Sequence, residues 1–305
     1  MGIKSRIISF YYEVHYNLVE KRDILPLLIY GFLNVVMTNK FARENYRKSR
    51  IKRIKKYLDE ADGIYDFCGI ILPRPTTVEE EFYLSRVYSD QLHIHCEYDG
   101  DYAKIDFDKY TKAASEGPIC FPINMEITQG DIVIDAGAWI GDFSAYAAYK
   151  GGEVFAFEPL TYNFGMLKRT SEYASQLAGK IVPVKAALSN IKGTASLSIH
   201  KISSSLNKLS DAEIQEEVAV TSIDLFVEEH NLSRVDFIKA DIEGSERDLL
   251  KGAFNTLLKF SPKLSICTYH LPDDPVVLEE LILQANPNYI IIQKKKKLYA
   301  YVPEQ

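Results

Sequence analysis

Residues 131–144 read Asp-Ile-Val-Ile-Asp-Ala-Gly-Ala-Trp-Ile-Gly-Asp-Phe-Ser, and this stretch decides the fold. Its short apolar run at 132–134 is typical of a buried parallel strand. The chain then passes Gly137 and Gly141 and is predicted to enter a helix over residues 143–150. A strand, a glycine turn and a helix in this order bring backbone N–H groups close to a nucleotide-like ligand.

The spacing of the glycines indicates which ligand the turn accepts. Dinucleotide-binding turns use G-x-G-x-x-G, in which the second glycine lets the pyrophosphate approach the backbone. Here Ala138 and Trp139 fill that gap, and the pattern becomes D-x-G-x-x-x-G from Asp135 onward. A bulky Trp139 beside the turn argues against a pyrophosphate. The pattern favours S-adenosylmethionine, whose methionine end carries an ammonium and a carboxylate but no phosphate.

A second motif follows at a suitable distance. Residues 152–159 read as the next strand, which ends in the acid Glu158. An acid about 20 residues past the glycines, at the carboxyl end of a strand, can accept hydrogen bonds from ribose hydroxyls. The alternative is that Asp135 and Glu158 only cap the helices that follow them. Within one βαβ unit, the two motifs together favour the ligand site.

Composition excludes several classes of protein. The chain has 305 residues and a net charge of −6, which is not the charge of a typical nucleic-acid binder. Its four cysteines lie far apart without C-x-x-C spacing, which indicates free thiols in a reducing compartment rather than a zinc site. No secretory signal is evident, and the most apolar stretch, residues 24–37, is shorter than the roughly 20 residues that span a bilayer. We therefore expect a cytoplasmic protein, soluble or peripheral at the membrane.

The chain is expected to divide into a mainly helical region at residues 1–114, whose role the sequence does not indicate, and a catalytic domain at residues 115–305. Residues 40–56 carry many lysines and arginines interleaved with apolar residues, as in a basic amphipathic helix. This helix either packs one stripe on the catalytic domain or contacts an anionic lipid surface or substrate carrier. His93 and His95 would share one face of a strand, but two histidines are too few for a metal site.

From residue 131 onward, predicted strands and helices alternate, which indicates an α/β fold with a mostly parallel sheet and helices on both faces. A closing hairpin at residues 289–302 adds an antiparallel edge. Smaller expectations are one continuous helix over residues 246–259 and a short helix capped by Asp224. Ligands of such sheets bind beyond the carboxyl ends of the strands. Four candidate site residues fall at such ends: Asp135, Glu158, Asp241 and His270.

Three segments of the chain together resemble the FkbM-type methyltransferases over residues 115–303. The segments are Val-Ile-Asp-Ala-Gly-Ala-Trp-Ile-Gly-Asp-Phe-Ser at 133–144, Phe-Glu-Pro at 157–159 with Asn163 after it, and Val-Asp-Phe-Ile-Lys-Ala-Asp-Ile-Glu-Gly-Ser-Glu at 235–246. The resemblance implies a Rossmann-like class I fold and S-adenosylmethionine-dependent O-methylation of sugars, glycans or related metabolites. Trp139 departs from the family, in which many members have Asn. With the turn and the acid, the predicted cofactor-binding residues are Asp135, Gly137, Ala138, Trp139, Gly141, Glu158, Pro159 and Asn163.

The chemistry of methyl transfer requires a nucleophile held in line with a sulfonium methyl group. A neutral hydroxyl is a poor nucleophile, so a base or a metal ion assists it. His270 can act as a base near neutral pH, and Asp241 can orient it, act as the base itself or bind a cation. We expect the metal-free version, because two candidate ligands are few for a dedicated hard-cation site. The structural alternatives are that His270 bonds a neighbouring carbonyl, and that Lys239, Glu243 and Glu246 form an ion-pair network that shapes their turn.

Two other classes of function stay open on the sequence alone. A binding protein with a decayed methyltransferase domain would not need intact Asp135, Glu158 and Asp241. A nicotinamide-dependent oxidoreductase is disfavoured by the glycine spacing. The acceptor is expected to be a small molecule or a glycan, and the sequence does not name it.

Overall fold

The fold is taken from a computed structural model. The structure describes residues 58–59, 63–67, 70–77, 80, 125–174, 177–199, 214–294 and 296–303. The basic segment at 40–56, the pair His93 and His95, and three of the four cysteines lie outside these residues. Among the described residues, no helix is both long and apolar enough to span a membrane.

The central sheet has seven strands and grows outward from the predicted glycine-turn strand. That strand is β4 (Ile132–Ala136), and it pairs in parallel with β5 (Glu153–Phe157), which pairs in parallel with β6 (Lys180–Val184). On its other side β4 pairs in parallel with β10 (Phe237–Ala240), and β10 with β11 (Lys263–Cys267). The closing hairpin, β12 (Ile290–Lys294) and β13 (Lys297–Tyr301), joins through the antiparallel pair β11–β13. The predicted mostly parallel sheet with an antiparallel hairpin is thus confirmed.

Helices cover both faces of this sheet. Helices α1 (Asp142–Tyr149) and α2 (Thr161–Ala174) pack on the face that carries Val133, Val154 and Phe237. The opposite face, with Ile134 and Ile238, is covered by α3 (Ile223–Glu229), α4 (Glu246–Lys251), α5 (Phe254–Phe260) and α6 (Asp274–Ala285). Because neighbouring residues of one strand enter different cores, the strands are apolar on both sides, which explains their unbroken apolar runs.

Two smaller sheets flank the central one. In one of them β8 (Gly193–Ile199) pairs with β9 (Ile214–Thr221), and β9 also pairs with β7 (Ala187–Leu188). In the region predicted to be mainly helical, the described residues form an antiparallel sheet of β1 (Leu58–Asp59), β2 (Ile64–Phe67) and β3 (Ile70–Pro73). Side chains of β2 and β3 enter the same core as α1 and α2. This part of the predicted helical region is therefore strand and packs with α1 and α2.

Two local expectations are wrong, each because of a tertiary contact. The helix expected over residues 246–259 breaks into α4 and α5 at Gly252, where a Cβ would lie 2.1 Å from the carbonyl oxygen of Ser189. The helix α3 is capped by Ser222, whose Oγ accepts from the N–H of Leu225, and not by Asp224. Asp224 instead accepts hydrogen bonds from the N–H groups at the start of α5.

Candidate functional site

The sheet order reverses at β4, which has β5 on one side and β10 on the other. In sheets of this kind, ligands bind outside the carboxyl ends of the strands at such a reversal point. All four predicted strand-end residues lie at this edge. We treat it as two parts, the β4–β5 end and the β10–β11 end.

The glycine loop, residues 137–141, follows β4 and lies at the β4–β5 end. Three of its residues have left-handed backbone: Gly137 at φ 74°, Trp139 at φ 50° and Gly141 at φ 88°. The N–H groups of Gly137 and Ala138 both donate to the carbonyl of Phe157, at 3.0 and 2.9 Å. The loop is therefore folded tightly against the end of β5, and its residue Ala138 is buried.

Gly137 is required by close packing as well as by its dihedral angle. A Cβ built on it would lie 2.1 Å from the carbonyl oxygen of Asp241, so no other residue fits without moving a backbone segment. Gly141 is similarly enclosed, because a Cβ added there would lie 2.9 Å from Leu167 and 3.0 Å from Thr170. Gly137 thus joins the two ends of the site through direct contact of their backbones.

Asp135 supports the glycine loop from below. Its side chain is fully buried, and its carboxylate accepts from Ser144 Oγ at 2.6 Å and from Lys239 Nζ at 2.9 Å. Lys239 also donates to the carbonyl of Gly137 at 2.9 Å. Burial favours the neutral amine of Lys239, but the charges of Asp135 and Asp241 outweigh this effect and raise its pKa. In this conformation the carboxylate of Asp135 holds the loop in place and faces protein groups.

Glu158 closes the other side of the β4–β5 end. Only 5% of it is exposed, and its carboxylate accepts from the N–H of Trp139 and the N–H of Leu160, both at 3.0 Å, and from Asn163 Nδ2 at 3.4 Å. Burial raises the pKa of Glu158 to about 7, against these hydrogen bonds, which lower it. The structure therefore brings Trp139, Glu158 and Asn163 together, with Pro159 half-buried next to them.

At the β10–β11 end the structure brings Asp241 and His270 together. Asp241 follows β10 and His270 follows β11, and His270 Nε2 lies 3.6 Å from Asp241 Oδ1. Two further acids approach the same ring: Glu243 Oε2 lies 3.4 Å from Nε2, and Glu246 Oε1 lies 3.0 Å from Nδ1. We call Asp241, Glu243, Glu246 and His270 the acidic cluster.

Sequence reasoning missed residues that complete this end. Tyr269 donates from its hydroxyl to Asp241 Oδ1 at 2.9 Å; burial and then the charge of Asp241 raise its pKa. Arg247 bonds Asp273 and Asp274 and so ties the segment after His270 to α4. The position of Tyr269 beside His270 at a strand end was a usable signal. The partners of Arg247 are 26 and 27 residues away and had no such signal.

A groove of about 760 Å³ lies elsewhere, between β6, β8, β9 and α3. Its lining includes Val184, Lys192 and His230 but none of the predicted site residues. Lys192 in this groove is already paired with Glu229 at 2.6 Å. The predicted site residues therefore favour the sheet edge, and not this groove, as the functional site.

Comparison with known families agrees with the geometry. The family described as the methyltransferase FkbM domain matches residues 135–293, which is more than half of the chain. The chain belongs to the FkbM methyltransferase family. The matched range contains Asp135 at the end of β4, the glycine loop, Glu158 and the acidic cluster. The resemblance drawn from the sequence is thus confirmed, and with it the assignment to the methyltransferases.

Individual relatives in this family are distant. A hexuronic acid methyltransferase, AglP, from Haloferax volcanii is 29% identical over 160 residues, which is 52% of this chain and 64% of the relative. The methyltransferase sdnD from Sordaria araneosa is 26% identical over 44% of this chain and 64% of its own length. The matches thus span less than two thirds of these curated relatives. A solved FkbM methyltransferase from Methylobacillus flagellatus is 19% identical, with a TM-score of 0.44 and coverage of 83% of this chain and 58% of that one.

Proposed function

We propose that the chain transfers a methyl group from S-adenosylmethionine to a hydroxyl of a sugar, a glycan or a related metabolite. The cofactor supplies an electrophilic methyl group on a sulfonium, and the chain supplies a site that holds cofactor and acceptor in line. The glycine loop and Glu158, with Asn163 beside it, are the groups proposed to hold the cofactor.

The observation that carries this proposal is where the N–H groups of the glycine loop point. Gly137 and Ala138 donate to Phe157, Trp139 donates to Glu158, and Gly141 donates to Ala138. A pyrophosphate site needs such N–H groups to face the ligand. Since these four N–H groups bond inside the protein, they are not available to the pyrophosphate of a dinucleotide. A ligand without phosphate fits the loop better.

Glu158 fits the same ligand. A buried carboxylate has lone pairs beyond the two backbone N–H groups it accepts, and the paired hydroxyls of a ribose are suitable donors for them. Calorimetry with S-adenosylhomocysteine and with NAD tests the choice. We expect binding of S-adenosylhomocysteine and no measurable binding of NAD, and the reverse result would replace the proposal by a dehydrogenase-type function.

The proposed acceptor end is the β10–β11 end. Asp241 is about one third exposed and Glu243 is 84% exposed, so a ligand above the sheet edge can reach both. We propose that Asp241 and His270 act on the acceptor oxygen. A His270→Ala variant should then lower turnover about 10²–10⁴-fold while the affinity for S-adenosylhomocysteine stays similar. Near-normal turnover would leave His270 a structural residue.

The proposed class of acceptor is supported by one relative and by the negative charge of the acidic cluster. AglP is named for a hexuronic acid, which is a sugar that carries both hydroxyls and a carboxylate. The carboxylates of the acidic cluster repel an anionic oxygen that approaches them directly, which favours a hydroxyl as the methylated group. A screen of nucleotide sugars and glycans with labelled methyl donor tests the class. Product methyl groups that resist mild alkali indicate an ether, and alkali-labile ones would indicate a carboxyl ester instead.

The basic segment at residues 40–56 supports a separate proposal, which is contact with an anionic membrane surface. Its charge contrasts with a chain that is acidic overall. Because such attraction is screened by salt, sedimentation with liposomes should show binding at low salt that depends on anionic lipid. Equal recovery in the supernatant with neutral and anionic liposomes at low salt would exclude it.

A further inference from the structure

The side chain of His270 is the least satisfied polar group at the β10–β11 end. It is only 8% exposed, and within the described part of the chain neither of its ring nitrogens makes a hydrogen bond. Buried polar groups are normally bonded, and an exception at a site calls for an explanation. Three carboxylates lie within 3.6 Å of the ring nitrogens.

The geometry around the ring distinguishes its two nitrogens. Glu246 is fully buried, and its oxygens accept from the N–H groups of Ile242 at 2.9 Å and Gly244 at 3.0 Å. This carboxylate is therefore fixed by backbone, 3.0 Å from Nδ1. Asp241 and Glu243 lie on the other side, near Nε2. A histidine that ligates a metal commonly donates its other ring N–H to a fixed carboxylate. Glu246 is the carboxylate beside Nδ1, although the two groups form no hydrogen bond in this structure.

The spacing at Nε2 is close to that of a tetrahedral cation site and wider than that of an octahedral one, so octahedral binding requires the carboxylates to move closer to the ring. With bonds of about 2.1 Å, neighbouring ligand atoms around a cation lie roughly 3.0 Å apart in octahedral geometry and roughly 3.4 Å apart in tetrahedral geometry. The distances from Nε2 to Glu243 and Asp241 are 3.4 and 3.6 Å. Ligand atoms of Asp241, Glu246 and His270 also lie within 4.8 Å of one another. Sequence reasoning counted two ligands, whereas the fold gathers four candidate groups.

We propose that the acidic cluster binds one divalent cation through Nε2 of His270 and the carboxylates of Asp241 and Glu243, with Glu246 orienting the ring. The two carboxylates are typical ligands of Mn²⁺ and Mg²⁺, whereas an imidazole is more typical of Zn²⁺ or Fe²⁺ sites, so Mn²⁺ serves as the probe ion. Glu243 lies in left-handed backbone, φ 55°, just before Gly244, and this turn directs its exposed carboxylate back to the ring. Strained backbone of this kind is found where a site imposes its geometry.

The cation would act on the acceptor, and this part rests on the proposed function. Three protein ligands leave coordination positions open for an oxygen of the acceptor, and coordination lowers the pKa of a hydroxyl. The acceptor proton passes to water, the oxygen–methyl bond forms, and the sulfur–methyl bond breaks, which leaves a neutral thioether. Sugars with two adjacent oxygens, such as vicinal diols or hydroxy acids, are the acceptors that chelate such a cation.

Titration of the full chain with Mn²⁺ tests the site without any acceptor. Electron paramagnetic resonance measures the free ion, and the bound ion is the difference from the total. We expect one equivalent to bind, and His270→Ala and Asp241→Asn to weaken binding by at least about 10–100-fold, the range known for groups outside the first shell. Glu243→Gln should also weaken Mn²⁺ binding. Because this side chain is exposed, its substitution should not disturb the fold, and misfolding would not account for the loss. Two matched controls should bind as the wild type does: Asp248→Asn, an exposed acid of α4 paired with Lys251, and His230→Ala at the end of α3.

Binding of S-adenosylhomocysteine, measured in the same preparations, separates this inference from the proposed function. Intact S-adenosylhomocysteine binding without Mn²⁺ binding at up to about 1 mM would overturn the cation site alone. Mn²⁺ affinity unchanged in His270→Ala and Asp241→Asn would overturn it too. Failure of S-adenosylhomocysteine to bind the wild type would overturn the proposed function and leave the Mn²⁺ result standing. With an acceptor known, turnover should stop with a chelator and return with Mg²⁺, and chelator-resistant turnover would remove the cation from catalysis.

Discussion

The β4–β5 end and the β10–β11 end lie side by side on one sheet edge and are built in opposite ways. At the β4–β5 end, Asp135 and Glu158 are buried, and each accepts two or more hydrogen bonds from the protein. At the β10–β11 end, three carboxylates surround a histidine whose ring nitrogens make none within the described residues. At the first end the buried carboxylates are bonded by protein donors, whereas at the second end a buried histidine is left without a hydrogen bond among the described residues.

This difference indicates how the two ends are used. A loop whose polar groups are satisfied internally is held rigid, and rigidity reduces the cost of ordering on binding. A cluster of like charges is costly in the folded chain and gains most when a cation or a bound hydroxyl arrives. We therefore expect changes at the β4–β5 end to affect folding and cofactor affinity together. Changes to the partly exposed Asp241 and the exposed Glu243 at the β10–β11 end should affect turnover and cation binding with little loss of stability.

Gly137→Ala should have the largest effect, because Gly137 is the contact between the two ends. The added Cβ would lie 2.1 Å from the Asp241 carbonyl oxygen in a residue at φ 74°, and only movement of one of the two backbones relieves the clash. We expect a loss of at least about 3–4 kcal/mol in the free energy of unfolding and no measurable S-adenosylhomocysteine binding. Denaturant unfolding and calorimetry measure both.

Gly130→Ala is the matched control for this variant. Gly130 has φ 88°, and a Cβ there meets no atom within 4 Å. It therefore incurs only the left-handed backbone penalty of about 1–2 kcal/mol. If the two variants lose equal stability, the contact between Gly137 and Asp241 does not matter and the two ends are not joined as described.

Lys239→Met should have the next largest effect. It removes the cation between Asp135 and the Gly137 carbonyl and leaves a fully buried carboxylate without a charge partner. Breaking a buried pair in this way costs about 3–5 kcal/mol. The double variant with Asp135→Asn should recover part of this loss, because the buried charge is then absent. Denaturant unfolding of the single and the double variant measures this recovery of stability. A double variant less stable than Lys239→Met would contradict the pairing of Lys239 with Asp135.

The fold was predictable from residue 131 onward because its signals are local. Apolar runs such as that of β4, glycine turns and helix periodicity each report on a few neighbouring residues. The expected single helix over residues 246–259 and the Asp224 cap were wrong for the opposite reason. The helix ends at Gly252, which lies so close to the Ser189 backbone that a Cβ does not fit, and Asp224 caps α5 across 31 residues. A single sequence does not contain such distant contacts.

The candidate site divides in the same way. The four strand-end residues were predictable, because parallel strands in a doubly wound sheet present their carboxyl ends at one edge. That Lys239 pairs with Asp135 depends on the register of β10 with β4, in which these two residues are direct neighbours. That Glu246 reaches His270 depends on the turn after β10. Register and turn geometry are tertiary properties, so Lys239 and Glu246 could be noticed in the sequence but not placed.

The Glu158→Ala variant tests whether the buried carboxylate at the β4–β5 end binds the cofactor. It should weaken S-adenosylhomocysteine binding by roughly 1–3 kcal/mol, because it removes acceptors for the ribose hydroxyls in a buried site. Calorimetry measures this loss, and Glu216→Ala, which alters the start of α2 instead, is a suitable comparison. Unchanged affinity in Glu158→Ala would reject Glu158 as the ribose ligand.

The pH dependence of cofactor binding provides a further test of Glu158. Burial raises its pKa from 4.5 to about 7, and ribose hydroxyls bond best to the ionised form. Affinity should therefore fall as pH drops through 7, by at most about 1.4 kcal/mol per pH unit, and Glu158→Gln should lack this dependence. For the free protein the sign is opposite: the folded state holds the proton more tightly, so the contribution of Glu158 to stability falls as pH rises from 4.5 to 7. Affinity that is flat between about pH 6 and pH 8 would contradict the raised pKa.

The smallest effect is expected at Trp139, where two substitutions separate the backbone from the side chain. Trp139 has φ 50°, and its N–H bonds Glu158, so the loop needs a left-handed residue there with an intact N–H. Trp139→Asn and Trp139→Val both lose the ring and its packing on the core, and both keep the N–H. Asn adopts left-handed backbone readily, whereas a β-branched residue rarely does. We expect the Asn variant to be more stable than the Val variant by about 1 kcal/mol and to bind S-adenosylhomocysteine more tightly by a similar free energy. Denaturant unfolding and calorimetry measure both differences. If the two variants behave alike, the left-handed conformation at residue 139 does not hold the loop, and the completeness of the β4–β5 end rests on Glu158 and Lys239 alone.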